Sequence, residues 1–253
     1  MKRILILGRS SRSTRLLLSV LKCEGYKLFF IEERRDDKAK LLRRRIKKLG
    51  LISVMGQIIF MVFSYLQGRT KKVKNRLKDI EYTVTSRTID IDATAIFPNV
   101  NSTDAITAIN NISPDYVILS GTRILDANFL SNVRCPILNI HAGINPAYRG
   151  VHGGYWALVN KQPELFGATI HIVDEGVDTG SVLCHARITP GHQDNFSTYP
   201  LLQMSAALKC LPGLLNRLSN KQQSAFIPEL SSNIWTHPTI WQYILYRIRK
   251  GIK

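Results

Sequence analysis

Three polar residues whose side chains can transfer a proton or stabilise an oxyanion lie in the segment 139–180. Asn139 and His141 are two residues apart at the end of an apolar run, and Asp178 follows in a Gly-Val-Asp-Thr-Gly turn. In a strand, side chains two residues apart point to the same face. An amide and an imidazolium can stabilise a developing oxyanion, and a carboxylate can accept a proton. A carboxylate near an imidazole also predicts a raised pKa for His141.

Each of these residues also has an ordinary structural explanation. Asn139 can cap a strand, His141 can be a buried and hydrogen-bonded histidine, and Asp178 can stabilise an Asx turn. The occurrence of all three residues in one segment favours the catalytic interpretation.

The pattern of apolar runs indicates which elements position these side chains. Strands are predicted at 3–8, 26–31, 93–97, 114–119, 135–140, 166–173 and 181–188, and helices at 14–24, 103–110, 126–130 and 195–217. This alternation predicts an α/β fold: a Rossmann-like, doubly wound, mostly parallel sheet. Ligands bind at the carboxyl edge of such sheets, where Asn139 and His141 are expected.

Composition and spacing exclude several classes of site. The 253 residues are 45% hydrophobic and 21% charged, which is typical of a globular protein. The four cysteines form no CxxC pair and the histidines lack ligand spacing, so no metal is expected. Only Gly8 stands where a dinucleotide site needs G-x-G-x-x-G. Scattered cysteines and the lack of a signal peptide predict a cytoplasmic protein.

The positive charge is concentrated in one segment. Of the net charge of +17, +13 falls in 34–78, where a sixteen-residue apolar stretch lies between two basic stretches. One interpretation is a helical hairpin packed on the core; the other is an interfacial helix on an anionic membrane. An amphipathic basic helix at 239–253 allows the same two interpretations. We expect a catalytic domain at 1–195, with a helical insertion at about 34–80, and a helical extension at 196–253.

Three motifs together carry a family resemblance: Asn-x-His at a strand end, Pro-x-Tyr-Arg-Gly at 146–150, and Val-Asp-Glu-Gly-Val-Asp-Thr-Gly at 173–180. They resemble the formyltransferases that use N10-formyltetrahydrofolate, which act on glycinamide ribonucleotide, methionyl-tRNA or amino sugars. The resemblance covers roughly 90–190 and the opening strand. It implies the formyltransferase fold, formyl transfer to a primary amine, and catalytic roles for Asn139, His141 and Asp178.

The resemblance also implies where the ligands bind. The formyl donor would contact two loops largely through backbone groups, at Gly121, Thr122, Arg123, Ile124, Leu125, Val173, Asp174, Glu175, Gly176 and Val177. Tyr148 and Arg149 are candidates for binding the acceptor. No metal is implied.

The acceptor is inferred from the architecture. Methionyl-tRNA formyltransferases carry a C-terminal β-barrel for which this tail is too short, and glycinamide ribonucleotide formyltransferases lack the basic insertion. An amino sugar linked to a nucleotide or a lipid, in cell-surface glycan synthesis, therefore fits best. The alternatives are those two acceptors, hydrolysis of formyltetrahydrofolate, or a non-catalytic basic adaptor for membrane or nucleic acid. Nucleic acid is not favoured. A homodimer, and a peripheral position on the inner face of the plasma membrane through 34–78 and 239–253, are further expectations.

Overall fold

The apolar runs form the strands of one central sheet. The computed structural model describes residues 1–34, 38–87, 89 and 91–253, with the backbone alone for 38–41. The seven strands are β1 (Arg3–Gly8), β2 (Lys27–Glu33), β3 (Ala95–Phe97), β4 (Tyr116–Ser120), β5 (Ile137–His141), β7 (Gly167–Ile172) and β8 (Val182–Arg187). Two short strands, β6 (Arg149–Gly150) and β9 (Ile234–Trp235), pair separately.

The strand order in the sheet is β3-β2-β1-β4-β5-β7-β8. The first five strands are parallel, whereas β7 and β8 run antiparallel to their neighbours. The predicted α/β, mostly parallel, doubly wound fold is therefore confirmed. The carboxyl ends of β1, β4 and β5 meet at one edge, next to the loop that joins β7 to β8.

Helices cover both faces of the sheet because both faces are apolar. In β1, for example, Ile4 and Ile6 belong to one buried cluster, and Leu5 and Leu7 to the other. The helices outside the basic segment are α1 (Arg12–Cys23), α5 (Thr103–Ile112), α6 (Ala127–Asn132), α7 (Gly153–Val159), α8 (Tyr199–Ser219) and α9 (Ile240–Lys250). Helix α8 packs against β7 and β8. The division of the chain near residue 195 stays a prediction.

The basic segment forms three helices: α2 (Lys38–Leu49), α3 (Leu51–Gly68) and α4 (Lys71–Tyr82). Helix α4 is joined to the body by Arg76, whose guanidinium donates twice to the buried carboxylate of Asp194, at 2.8 and 2.9 Å. Among the described residues, α3 is the one helix long and apolar enough to cross a membrane, and 22% of it is buried.

Candidate active site

Asn139 and His141 lie at the carboxyl end of β5 and contact the same carboxylate. Asn139 Nδ2 donates to Asp178 Oδ1 at 3.2 Å, and His141 Nδ1 lies 3.2 Å from Asp178 Oδ2. The prediction that the two β5 side chains share one face is confirmed by these contacts. Residues far apart in sequence thus form one polar cluster at the ligand-binding edge of the sheet.

Asp178 is the centre of this cluster. Its backbone φ of 52° lies in the left-handed region, which aspartate tolerates better than most residues. The Gly150 amide donates to Oδ2 at 3.0 Å, and His171 Nε2 lies 3.6 Å from Oδ1. Burial by itself raises the pKa of Asp178, but His171, His141 and the Gly150 amide together outweigh burial and lower the pKa below its usual value. The carboxylate is therefore ionised at neutral pH.

His141 contacts the Asp178 carboxylate from inside the protein. Its side chain is buried, and Nε2 lies 2.7 Å from the carbonyl oxygen of Tyr148. The expectation of a raised pKa for His141 is wrong, because burial lowers the pKa more than Asp178 raises it. A carbonyl oxygen can only accept, so Nε2 donates to Tyr148 while Nδ1 faces Asp178 Oδ2.

His171 is part of the cluster, although the sequence analysis did not assign it a functional role. It lies on β7 directly opposite Asn139 in the antiparallel pair β5–β7. Its Nδ1 is 2.9 Å from the Ile172 carbonyl, so Nδ1 donates there, and Nε2 lies 3.1 Å from Asn139 Nδ2. The Asn139 amide therefore contacts both His171 and Asp178. The pairing of β5 with β7 would have indicated His171, but that pairing cannot be read from local patterns.

A cavity of about 210 Å³, which we call the inner cleft, opens beside this cluster. Asn139, His171 and Asp178 line it, while His141 does not. The inner cleft brings together nine of the ten residues that sequence reasoning assigned to the formyl donor: Gly121, Thr122, Arg123, Ile124, Leu125, Val173, Asp174, Gly176 and Val177. The tenth residue, Glu175, is exposed and lies outside the cleft lining.

A buried carboxylate fixes one wall of the inner cleft. Glu33, at the end of β2, is 1% exposed and accepts from the Arg123 backbone amide at 2.9 Å and from the Arg123 guanidinium. Arg123 also donates to the Pro98 carbonyl at 2.8 Å. The loop 121–125 is thereby tied to the sheet, which preorganises its backbone.

A second cavity, the outer cleft, lies on the other side of the β5 end and has a volume of about 390 Å³. Ser11, Arg12 and Ser13 line it at the start of α1, and it shares Leu119 and Gly121 with the inner cleft. Arg12 pairs with Glu81 through Nε at 3.4 Å, whereas its Nη1 atom is buried and has no hydrogen-bond partner among the described residues. The two clefts therefore meet at the end of β4, and the outer cleft carries an unsatisfied cationic donor.

Tyr148 and Arg149 line neither cleft. Tyr148 is 2% exposed, and its hydroxyl donates to the side chain of Gln162. The Arg149 guanidinium donates to the Val177 carbonyl at 3.4 Å, so it contacts the loop before Asp178. Within the described ranges, no three His, Cys, Asp or Glu side chains are grouped closely enough to hold a metal ion.

An open α/β sheet with a polar cluster at its carboxyl edge, between two adjoining clefts, is the architecture of an enzyme that brings two ligands together. Comparison with known protein families identifies the class of enzyme. Residues 39–200 match the family described as formyl transferase, and the chain belongs to that family.

The individual relatives have different acceptors. The chain is 31% identical over 119 residues to a methionyl-tRNA formyltransferase of Finegoldia magna, and 29% identical over 109 residues to a GDP-perosamine N-formyltransferase of Brucella melitensis. These matches cover 46% and 43% of this chain, but only 38% and 42% of the respective relatives. The fold is similar to an N-formyltransferase from Helicobacter canadensis in complex with folinic acid and dTDP-3-aminofucose. That similarity has a TM-score of 0.57 and 14% identity, and covers 93% of this chain and 71% of the other.

Proposed function

We propose that this protein transfers a formyl group from N10-formyltetrahydrofolate to a primary amine. The observation that carries the proposal is the arrangement of Asn139 and Asp178, which line the inner cleft and contact each other at the point where the sheet ends. Membership of the formyl transferase family supports the same reaction.

The inner cleft fits the formyl donor through its loops. Most of its lining belongs to the loops 121–125 and 173–178, which can offer backbone donors and acceptors to a pterin ring. Folinic acid, a formylated folate, is bound in the Helicobacter canadensis relative. The donor, when bound, supplies an electrophilic formyl carbon.

The residues of the cluster have separate tasks in this reaction. Attack by an amine develops negative charge on the formyl oxygen, and the Asn139 amide is the donor at the cleft that can stabilise it. Donation requires Asn139 to exchange one contact, with His171 or with Asp178, for that oxygen. The ionised Asp178 carboxylate takes the proton that the amine loses. The formyl C–N bond then breaks, and the leaving nitrogen of the folate takes up a proton.

His141 is a positioning residue in this scheme. Its imidazole contacts Asp178 on one side and the Tyr148 carbonyl on the other, so it holds the carboxylate in orientation. The mechanism thus differs from the expectation that an imidazolium at this position stabilises the oxyanion directly.

An amino sugar carried by a nucleotide or a lipid is the acceptor that we propose. Arg12 in the outer cleft offers a buried, unpaired guanidinium nitrogen, which suits the phosphate of such a carrier. A third cavity of about 720 Å³ shares Arg12, Ser197 and Pro200 with the outer cleft. Together these cavities offer room for an acceptor much larger than a single amine.

Tetrahydrofolate formation with candidate amines tests the proposed function. We expect turnover with amino sugars linked to a nucleoside diphosphate, and none without an amine. Turnover without any amine would instead indicate hydrolysis, and no turnover with any amine would indicate a non-catalytic protein. Activity on glycinamide ribonucleotide or methionyl-tRNA, with none on sugars, would refute the sugar assignment alone.

The substitution Glu33→Gln should weaken donor binding without changing the chemistry. Loss of the Glu33 charge weakens the hydrogen bonds that hold the Arg123 loop in place. Because hydrogen bonds to charged groups are stronger than neutral ones, KM for the donor should rise about tenfold. The value of kcat should stay nearly constant, because Glu33 contacts neither Asn139 nor Asp178. Steady-state kinetics with varied donor measure both constants. Glu24→Gln, at the exposed C-terminal end of α1, is the matched control; an equal rise in KM there would contradict the explanation.

A further inference from the structure

Helix α3 has an apolar outer face that no part of the described chain covers. Its members recur at helical spacing and are each at least 46% exposed: Ile52, Met55, Ile59, Val62 and Leu66. The inner face is firmly attached to the body, since Phe60 is buried against Phe196 and Tyr243. The exposure of the outer face is therefore a property of a well-packed helix.

Helix α9, which contacts α3, also has exposed apolar side chains. Four of its side chains are at least 41% exposed: Trp241, Ile244, Leu245 and Ile248. A Cβ atom at Gly56 of α3 would lie 2.2 Å from the Trp241 ring, so the two helices are in direct contact. We call these nine exposed side chains of α3 and α9 the α3–α9 surface.

Basic residues surround the α3–α9 surface in sequence and at the helix ends. Exposed cations precede α3, follow it, and end α9: Arg43, Arg44, Lys47, Lys48, Arg69, Lys71, Lys72, Lys74, Arg247, Arg249 and Lys250. The sequence has no acidic residue between Lys38 and Lys78 or between Leu230 and Lys253. An apolar face with aromatic residues and flanking cations is the composition of helices that lie in an anionic membrane interface.

We propose that the α3–α9 surface docks this protein on an anionic lipid bilayer, with both helices lying in the plane of the headgroups. Helix α3 cannot cross the bilayer while its inner face stays attached. Gln57 on that face accepts from Arg45 at 2.8 Å and donates to the His237 carbonyl at 2.7 Å. A second copy of the chain fits this surface less well, because pairing two such surfaces would bring like charges together.

Flotation with phospholipid vesicles tests the docking. Vesicles of phosphatidylcholine alone are compared with vesicles that also contain phosphatidylglycerol. We expect at least about tenfold stronger partitioning to the anionic vesicles, since each cation near an anionic surface changes the partition coefficient by about fivefold. Added salt should weaken it. Brominated lipids should quench the fluorescence of the wild-type protein more than that of Trp241→Phe.

Two sets of variants separate apolar docking from simple charge attraction. The triple variant Ile52→Asn, Ile59→Asn, Leu66→Asn keeps every charge and should lose at least about tenfold in partitioning. The matched control Ile96→Asn, Ile227→Asn changes exposed isoleucines elsewhere and should bind like the wild type. Lys47→Glu, Lys48→Glu should also release the protein, whereas Lys22→Glu, Lys209→Glu should release it less.

Two results would overturn the proposal. One is equal vesicle binding by the triple variant and the wild type, because the apolar face would then be irrelevant. The other is a wild-type dimer that ignores vesicles and becomes monomeric in the triple variant, which sedimentation would show. None of the substituted residues lines the inner or outer cleft, so turnover of a water-soluble amine should be unchanged in every variant. Docking is thereby measured separately from formyl transfer.

Discussion

Replacement of Asp178 by asparagine should lower kcat for formyl transfer by about 1000-fold, as expected when a general base is removed together with the contacts that align an oxyanion donor. The carboxylate accepts from Asn139 and Gly150 and faces both His141 and His171. The amide of asparagine at position 178 cannot take a proton from the amine. It also has one acceptor oxygen, whereas the carboxylate has two. KM for the donor should change little, because the loops that line the inner cleft remain.

The substitution is well suited to a test because it should leave the fold intact. Asparagine tolerates the left-handed backbone of residue 178 as well as aspartate does. Circular dichroism and thermal unfolding verify the fold, and tetrahydrofolate formation gives kcat. Asp104→Asn, at an exposed site on α5, is the matched control and should retain the wild-type rate. A rate for Asp178→Asn within tenfold of the wild type would remove Asp178 from the chemistry.

Local sequence patterns were sufficient to predict the sheet and the shared face of Asn139 and His141, whereas the meeting of these two residues with Asp178 was predicted from the family resemblance. Buried parallel strands are continuous apolar runs, so local patterns predict them well. The geometry of the loop that carries Asp178 follows from residues that tolerate positive φ. The strands extend the predicted ones by a residue or two in places; β2, for example, continues to Glu33.

The parts that could not be predicted depend on contacts between distant segments. Glu33 reaches Arg123 because β2 and β4 flank β1, and His171 reaches Asn139 because β7 pairs with β5. Neither pairing has a local signature. The predicted rise in the His141 pKa was wrong for a related reason. A sequence can indicate a nearby carboxylate but not how deeply the imidazole is buried, and burial has the larger effect on this pKa.

Gly143→Ala should reduce kcat by about 100-fold, the size of effect seen when one aligned donor is lost, although residue 143 lines neither cleft. A Cβ atom at this position would lie 2.2 Å from the Tyr148 carbonyl oxygen and 2.5 Å from His141 Nε2. The methyl group would therefore occupy the space between His141 Nε2 and the Tyr148 carbonyl oxygen and break the hydrogen bond that holds the imidazole next to Asp178. Overpacking of this kind also costs about 1–3 kcal/mol in the free energy of unfolding, which thermal or urea unfolding measures.

A double-mutant cycle shows whether the effect passes through His141. If Gly143→Ala acts by displacing the imidazole, it should cost little further activity in a His141→Ala background, because the group it displaces is already absent. Two losses that multiply would instead mean that the methyl group disturbs the clefts directly. Gly213→Ala is the matched control, since its Cβ would meet only the end of the Arg217 side chain, at 3.5 Å. Gly213→Ala lies in a helix and should leave the free energy of unfolding unchanged or raise it slightly. A loss of activity confined to Gly143→Ala would show that the Tyr148 carbonyl holds His141 against Asp178.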